Sequence, residues 1–149
     1  MNPTLVPANF EVPVGIETDR YRLRMLTVHD VVKDYEAVMS SVDHLKGVLD
    51  PDSPWPEGLS LEQDLIDLGW HQKEFQRRSS FAYTVMSLDE ERCLGCVYIY
   101  QSESADADVF FWVRADEFNK GMDEHLNQAV RNWMSESWPF GKVEYPGRD

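Results

Sequence analysis

The stretch from Phe81 to Met134 constrains the fold most, because its hydrophobic period changes within it. Phe81–Met86, Cys93–Tyr100 and Val109–Val113 are short apolar runs of strand length. Polar connections at Ser87–Arg92 and Gln101–Asp106 suit hairpins, so the three runs predict an antiparallel meander. From Met122 the period lengthens. Met122, Leu126, Ala129, Val130, Trp133 and Met134 lay one apolar stripe along a helix. Trp138-Pro139 ends that helix, since proline cannot continue it. Lys142–Tyr145 can then add a strand parallel to its predecessor, the helix serving as crossover.

The amino-terminal half supplies the remaining elements. Tyr21–Leu26 alternates as a strand, with Arg20, Arg22 and Arg24 on its other face. Thr27 is placed to cap a following helix, and Asp30 complements the positive helix end. Val31, Val32, Tyr35, Val38, Met39 and Val42 recur there at helical spacing. Asp50–Gly58 reads as a loop, with three prolines and a glycine. Ser60-Leu61-Glu62-Gln63 matches a capping box and opens a helix to about Arg78, with Leu61, Leu65, Ile66, Leu68 and Trp70 expected inward. Residues 1–19 form an expected extended arm. Phe10, Val12, Val14 and Ile16 alternate there, and Pro13 keeps the arm off the middle of a sheet. The expected organisation is that arm and a single domain over 20–149. The order is strand, two helices, three-strand meander, helix, strand, an α/β (α+β) mixed sheet covered by helices.

The net charge of -13 repels phosphate backbones and anionic lipid, which argues against nucleic-acid and membrane partners. It attracts a cationic small molecule or a basic peptide. No apolar run approaches the roughly 18 residues that span a bilayer. Met1–Gly15 carries no Lys or Arg, unlike a secretory leader, so the expected location is cytoplasmic. Cys93 and Cys96 form a C-x-x-C pair inside an apolar strand. Residues three apart on a regular strand face opposite ways, roughly 10 Å apart. A disulfide needs Cα atoms within about 7 Å, so both are expected to be small core residues. No second Cys pair is present to complete a zinc site. His29, His44 and His125 fall into no H-E-x-x-H array, and no metal is expected. G-x-x-x-x-G-K, G-x-G-x-x-G and G-x-S-x-G are all missing from the sequence.

The element order from Arg20 to Tyr145, together with TVHDVVKDYEAVMSS, DLGWHQKEFQRRSSFAYTVM, RCLGCVYIY and WPFGKVEYPGRD, resembles a short GNAT-like subfamily of the GNAT acyltransferase superfamily. The resemblance runs to the fifth strand of that fold and stops there. It implies acetyl-CoA or another acyl-CoA as co-substrate. In the family the fourth strand lends backbone groups to pantetheine, which corresponds here to Trp112, Val113 and Arg114. A Q/R-x-x-G-x-G/A loop at the next helix then binds pyrophosphate through free N–H groups. The matching segment is Phe118-Asn119-Lys120-Gly121-Met122-Asp123, which places Lys120, Gly121 and Met122 at the phosphates. Only Gly121 keeps the pattern, and Asp123 puts a carboxylate where phosphates would sit. One like-charge pair there costs on the order of 3–4 kcal/mol before salt screening.

Amine acylation needs proximity, a proton acceptor and an acid for the thiolate. His71 and Glu74 share a helix face and are candidates to handle protons or hold a cation. Tyr98 and Tyr100 lie on one strand face and are candidate acids. Glu103 and Asp108 flank the turn before the last meander strand. The expected function is an N-acyltransferase acting on an amine of a small molecule or peptide. The alternative is a non-catalytic GNAT-like module that binds a ligand or protein. An unpaired sheet edge also favours a homodimer.

Overall fold

The computed structural model describes residues 3–148. One mixed sheet runs in chain order. Its strands are β1 (Gly15–Glu17), β2 (Tyr21–Met25), β3 (Phe81–Ser87), β4 (Cys93–Tyr100), β5 (Ala107–Val113) and β6 (Val143–Glu144). The first five pair antiparallel, and β6 joins β5 in parallel. The helices are α1 (Val31–Met39), α2 (Val42–Leu45), α3 (Leu61–Gln76), α4 (Ala115–Phe118) and α5 (Met122–Ser137). The meander, the crossover helix and the parallel last strand stand as the sequence predicts. The end of the arm adds a strand at the sheet edge, where Gly15 pairs with Arg24 and Glu17 with Arg22.

The sheet is covered on both faces. On one face α5 buries Met122, Leu126, Val130, Trp133 and Met134 against odd-numbered residues of β4 and β5 such as Val97, Ile99, Val109 and Phe111. Tyr83 meets Trp133 edge-on at 4.8 Å, and Trp138 closes the same cluster. Such ring pairs add about 0.5–1.5 kcal/mol beyond their burial. The other face carries α1 and α3 over Ala82, Cys96, Tyr98 and Trp112. Arg114, from the end of β5, ties α1 down. Its guanidinium donates to both oxygens of Glu36 at 2.8 Å and to the Cys93 carbonyl at 3.2 Å.

Three expectations are corrected. The apolar residues of α3 do not all turn inward: Leu61, Leu65, Ile66 and Trp70 are 43–56% exposed. The inward face is instead Asp64, Leu68, His71 and Phe75, at the same helical spacing but half polar. Ser60 does cap α3, accepting from Gln63 N at 3.0 Å, but the Gln63 side chain turns to Asp67 and leaves the box half made. Cys93 and Cys96 also share one face rather than opposing faces. A bulge inserts Leu94 into β4, so Val85 pairs with Gly95 while Met86 pairs with Cys93. One extra residue flips the alternation and returns Cys93 to the Cys96 side. Both thiols are free and buried, and burial raises their pKa values.

Candidate functional site

β5 and β6 pair at only two positions, Ala107 with Val143 and Asp108 with Glu144. Asp106 fixes this junction by accepting from Gly141 N at 2.6 Å and Lys142 N at 3.0 Å. Beyond it the strands part, and a cleft of about 560 Å³ opens beside β5. Backbone groups alternate sides along a strand. Arg114 N reaches back to the Leu94 carbonyl of β4, so Val113 and Phe111 turn their backbone groups away from β4, and Phe111 lines the cleft. The amino end of α5 lies at the cleft mouth. Gly121 precedes it with φ +85°, a left-handed turn that glycine adopts at little cost, and a Cβ there would meet nothing within 4 Å.

The carboxy-terminal segment crosses this mouth. Arg148 donates to both oxygens of Asp123 at 2.9 Å and to the Phe111 carbonyl at 3.1 Å. Its guanidinium carbon also lies 3.7 Å from the centre of the Phe111 ring. The Asp123 charge that would repel a phosphate is therefore neutralised by a cation already in place.

Leu49 forms part of the cleft wall and also of a second cavity, about 310 Å³, between α1, α3 and β4. Tyr98 and Tyr100 form its floor, their rings stacked at 5.9 Å. His71 lies 5.1 Å from the Tyr98 ring and Trp70 5.1 Å from His71. The Trp112 indole donates to the Tyr98 hydroxyl at 2.9 Å, which fixes that phenol. Burial lowers the His71 pKa to about 4, with Glu74 opposing, so the imidazole is neutral at physiological pH. Burial raises the pKa values of Tyr98 and Tyr100, which keeps both phenols protonated.

The cavity is also acidic. Asp34 of α1 and Asp64 of α3 are both 4% exposed and hydrogen-bond carboxyl to carboxyl. Burial and the neighbouring Asp64 charge raise the Asp34 pKa, so the shared proton resides on Asp34. Asp64 Oδ2 is buried and has no hydrogen-bond partner among the described residues. Asp50 and Asp67 add two further carboxylates to the lining.

No protein-family model and no curated protein sequence matches the chain. Solved structures do. A ribosomal-protein-S5-alanine acetyltransferase from Vibrio fischeri superposes with TM-score 0.65 at 17% identity over 82% of this chain and 67% of its own. A ribosomal L7/L12 α-N-protein acetyltransferase in complex with coenzyme A gives 0.63 at 18% identity, over 83% and 66%. A microcin C7 self-immunity acetyltransferase in complex with acetyl-CoA and AMP gives 0.60 at 14%, over 85% and 71%. The chain has the GNAT fold. It spans about two thirds of the length of these GNAT structures.

Within the GNAT fold, the residues singled out from sequence divide between the two hollows. His71, Tyr98 and Tyr100 line the acidic cavity together. Glu74 turns away from it. Its carboxylate accepts from Ser79 Oγ at 2.6 Å and lies 3.4 Å from Lys73 Nζ. Of the three strand residues, Val113 turns its backbone away from β4, Trp112 spends its indole on Tyr98, and Arg114 spends its guanidinium on Glu36 and Asp116. Gly121 precedes α5 and lines a separate shallow hollow with Glu124 and His125, while Asp123 is the α5 residue in the cleft wall; Met122 is buried in the core at the first turn of α5, and exposed Lys120 pairs with Glu117 at 3.3 Å. Glu103 is exposed, and Asp108 sits opposite Tyr100 in the β4–β5 ladder.

Asp34, Asp64, Asp67 and Arg148 join these hollows beyond the residues to which the sequence points. Asp64, Asp67 and His71 lie at i, i+3 and i+7 of α3, a polar stripe as regular as an apolar one. That spacing was the available signal. Arg148 has none, because its partners are 25 and 37 residues away.

Proposed function

We propose that the chain is an N-acyltransferase that takes acyl-CoA in the β5–β6 cleft and an amine in the acidic cavity. The observation that carries this reading is the juxtaposition of the two hollows across Leu49, with a strand edge that β6 leaves uncovered beyond Asp108 and a helix amino end on the donor side. Pantetheine amides would pair with Phe111 and Val113 as an added strand would. The pyrophosphate would take the N–H groups of the first turn of α5, aided by the helix dipole. Neighbours bearing this fold include one in complex with coenzyme A and one with acetyl-CoA, which favours that donor. Two are named as acetyltransferases of ribosomal proteins, which favours an amine or peptide acceptor.

The chain's own groups suit the step. The amine must reach the carbonyl carbon as a free base, and neutral His71 can accept a hydrogen bond from it. Tyr98 or Tyr100 can donate to the departing thiolate, since each keeps its proton. Most of the acceleration would come from holding the two reactants in one geometry.

Arg148 gives a second reading its footing. A guanidinium seated on the Phe111 carbonyl occupies the pantetheine edge, as in a module that binds no acyl-CoA. Calorimetry with acetyl-CoA separates the two. Under the transferase reading the parent binds donor, and Asp123→Gly binds more tightly, because it removes a carboxylate and frees Arg148 for phosphate. Arg148→Ala weakens binding by up to about a hundredfold, the Coulomb cost of a bare Asp123. No binding at millimolar donor, or tighter binding by Arg148→Ala, would instead favour the closed module.

A further inference from the structure

Helix α3 inverts the usual arrangement of a surface helix, which turns its apolar stripe to the core and its charges to water. It buries Asp64 and Glu74 and leaves Leu61, Leu65, Ile66 and Trp70 43–56% exposed. Glu62, Leu65, Ile66, Gly69 and Lys73 follow at i, i+3, i+4, i+7 and i+11, so they form one strip down the outer side, with Leu61 and Trp70 flanking it. Large apolar side chains gathered on one exposed face mark a contact surface. Gly69 lies in the middle of the strip. Glycine inside a helix is destabilising relative to alanine, and a Cβ here would meet, outside its own helix, only Val28 Cγ1 at 3.7 Å, an ordinary contact. The fold itself therefore does not call for glycine at this position. A second helix crossing there would, because glycine lets two backbones approach closely.

We propose that two copies of this chain pair antiparallel through the outer face of α3, about a twofold axis beside Gly69. The charges on the face select that partner. Glu62 stands seven residues before Gly69 and Arg77 eight after it, and both are exposed. The axis therefore sets each Glu62 against the partner's Arg77 and keeps the two Glu62 side chains apart. Lys73 lies opposite the partner's Ile66, where its methylenes can cover that side chain while its charge stays in water. The net charge of -13 opposes self-association, but beyond about 8 Å it is screened at physiological ionic strength. One side of a 16-residue helix, about 24 Å long, is at the low end of interface sizes, so pairing at micromolar concentration is expected. Trp70 also lines the acidic cavity, which places the partner copy beside that cavity. This interface differs from the sheet-edge pairing that the sequence suggests, and it does not rest on the acyltransferase reading.

The test is sedimentation velocity of the full chain from about 1 to about 500 μM, over which the parent should pass from monomer to dimer. Ile66→Glu, at a position 56% exposed, should weaken the dimer about tenfold or more, with its fold checked by circular dichroism. Glu62→Lys and Arg77→Glu are then made in separate chains. Each alone sets like charges together at both ends of the paired helices and should weaken association about three- to tenfold. An equimolar mixture of the two restores opposite charges at both ends and should associate as the parent does. A parent that stays monomeric to about 500 μM, an Ile66→Glu chain that dimerises as the parent does, or a mixture no more associated than its separate components would overturn the proposal. Should Ile66→Glu lose its fold, the two charge variants and their mixture decide alone.

Discussion

Replacing Asp34 by Asn should make the protein progressively more stable than the parent as pH rises. Asp34 is buried on α1 and faces Asp64 and Asp67 of α3, Asp30 ahead of α1, and Cys93, Cys96 and Tyr98 of β4. Arg24 already holds Asp30, and the largest influences on Asp34 all disfavour its ionised form. Burial is the largest cause of its raised pKa, followed by the Asp64 charge. The sign follows from linkage. Below the unfolded value of 3.8, Asp34 is protonated in both states and costs nothing. Above it the unfolded chain ionises while the folded carboxyl keeps its proton, so the folded state loses about 1.4 kcal/mol per pH unit until its own pKa is reached. Asparagine does not titrate, and its amide can still donate to Asp64. The advantage of Asp34→Asn should therefore grow by about 1.4 kcal/mol per unit above pH 4, or about 3–6 °C in midpoint for a domain of this size. Urea unfolding of both proteins from pH 4 to 7 reads the slope directly, and any pH-independent packing difference cancels from it. A constant difference, or one that shrinks with rising pH, would refute the assignment of the proton to Asp34.

Other perturbations probe the frame around the site. At Gly95 a Cβ would stand 2.1 Å from the Trp112 carbonyl, so Gly95→Ala should force β4 from β5 and lower stability by about 3 kcal/mol, read by chemical denaturation; a change below about 0.5 kcal/mol would show that the strands yield freely. His71 should titrate near pH 4 in a proton NMR series, well below a free imidazole, and a midpoint near 6.5 would mean that the cavity admits water to the ring.

The sheet and α5 were legible because a change of hydrophobic period survives any detail of packing. The same rule misled at α3. Leu61, Leu65, Ile66 and Trp70 outnumber the apolar residues that α3 buries, yet Asp64 and His71 took the inward face. Apolar periodicity cannot register a helix turned toward a polar cavity, and such local conflicts tend to fall at functional sites. The bulge at Leu94 was equally hidden, since one inserted residue leaves composition untouched while changing the face of Cys93. His71, Tyr98 and Tyr100 were found because each carries a chemistry worth asking about. Asp34 and Asp64 were missed because a carboxylate on a helix in a chain of net charge -13 looks like solvated surface. Arg148 belongs to contacts that close only when the chain has folded.

The central claim is that the parted edge of β5 and the first turn of α5 form one donor site. Amide chemical shifts of the labelled protein, followed during a coenzyme A titration, examine both parts at once. The account predicts saturable shifts at Phe111, Val113 and Gly121–Asp123, with the Arg148 side-chain resonance moving as its contacts with Asp123 and Phe111 change. Shifts confined to other surfaces, or a spectrum unchanged at millimolar coenzyme A, would contradict it.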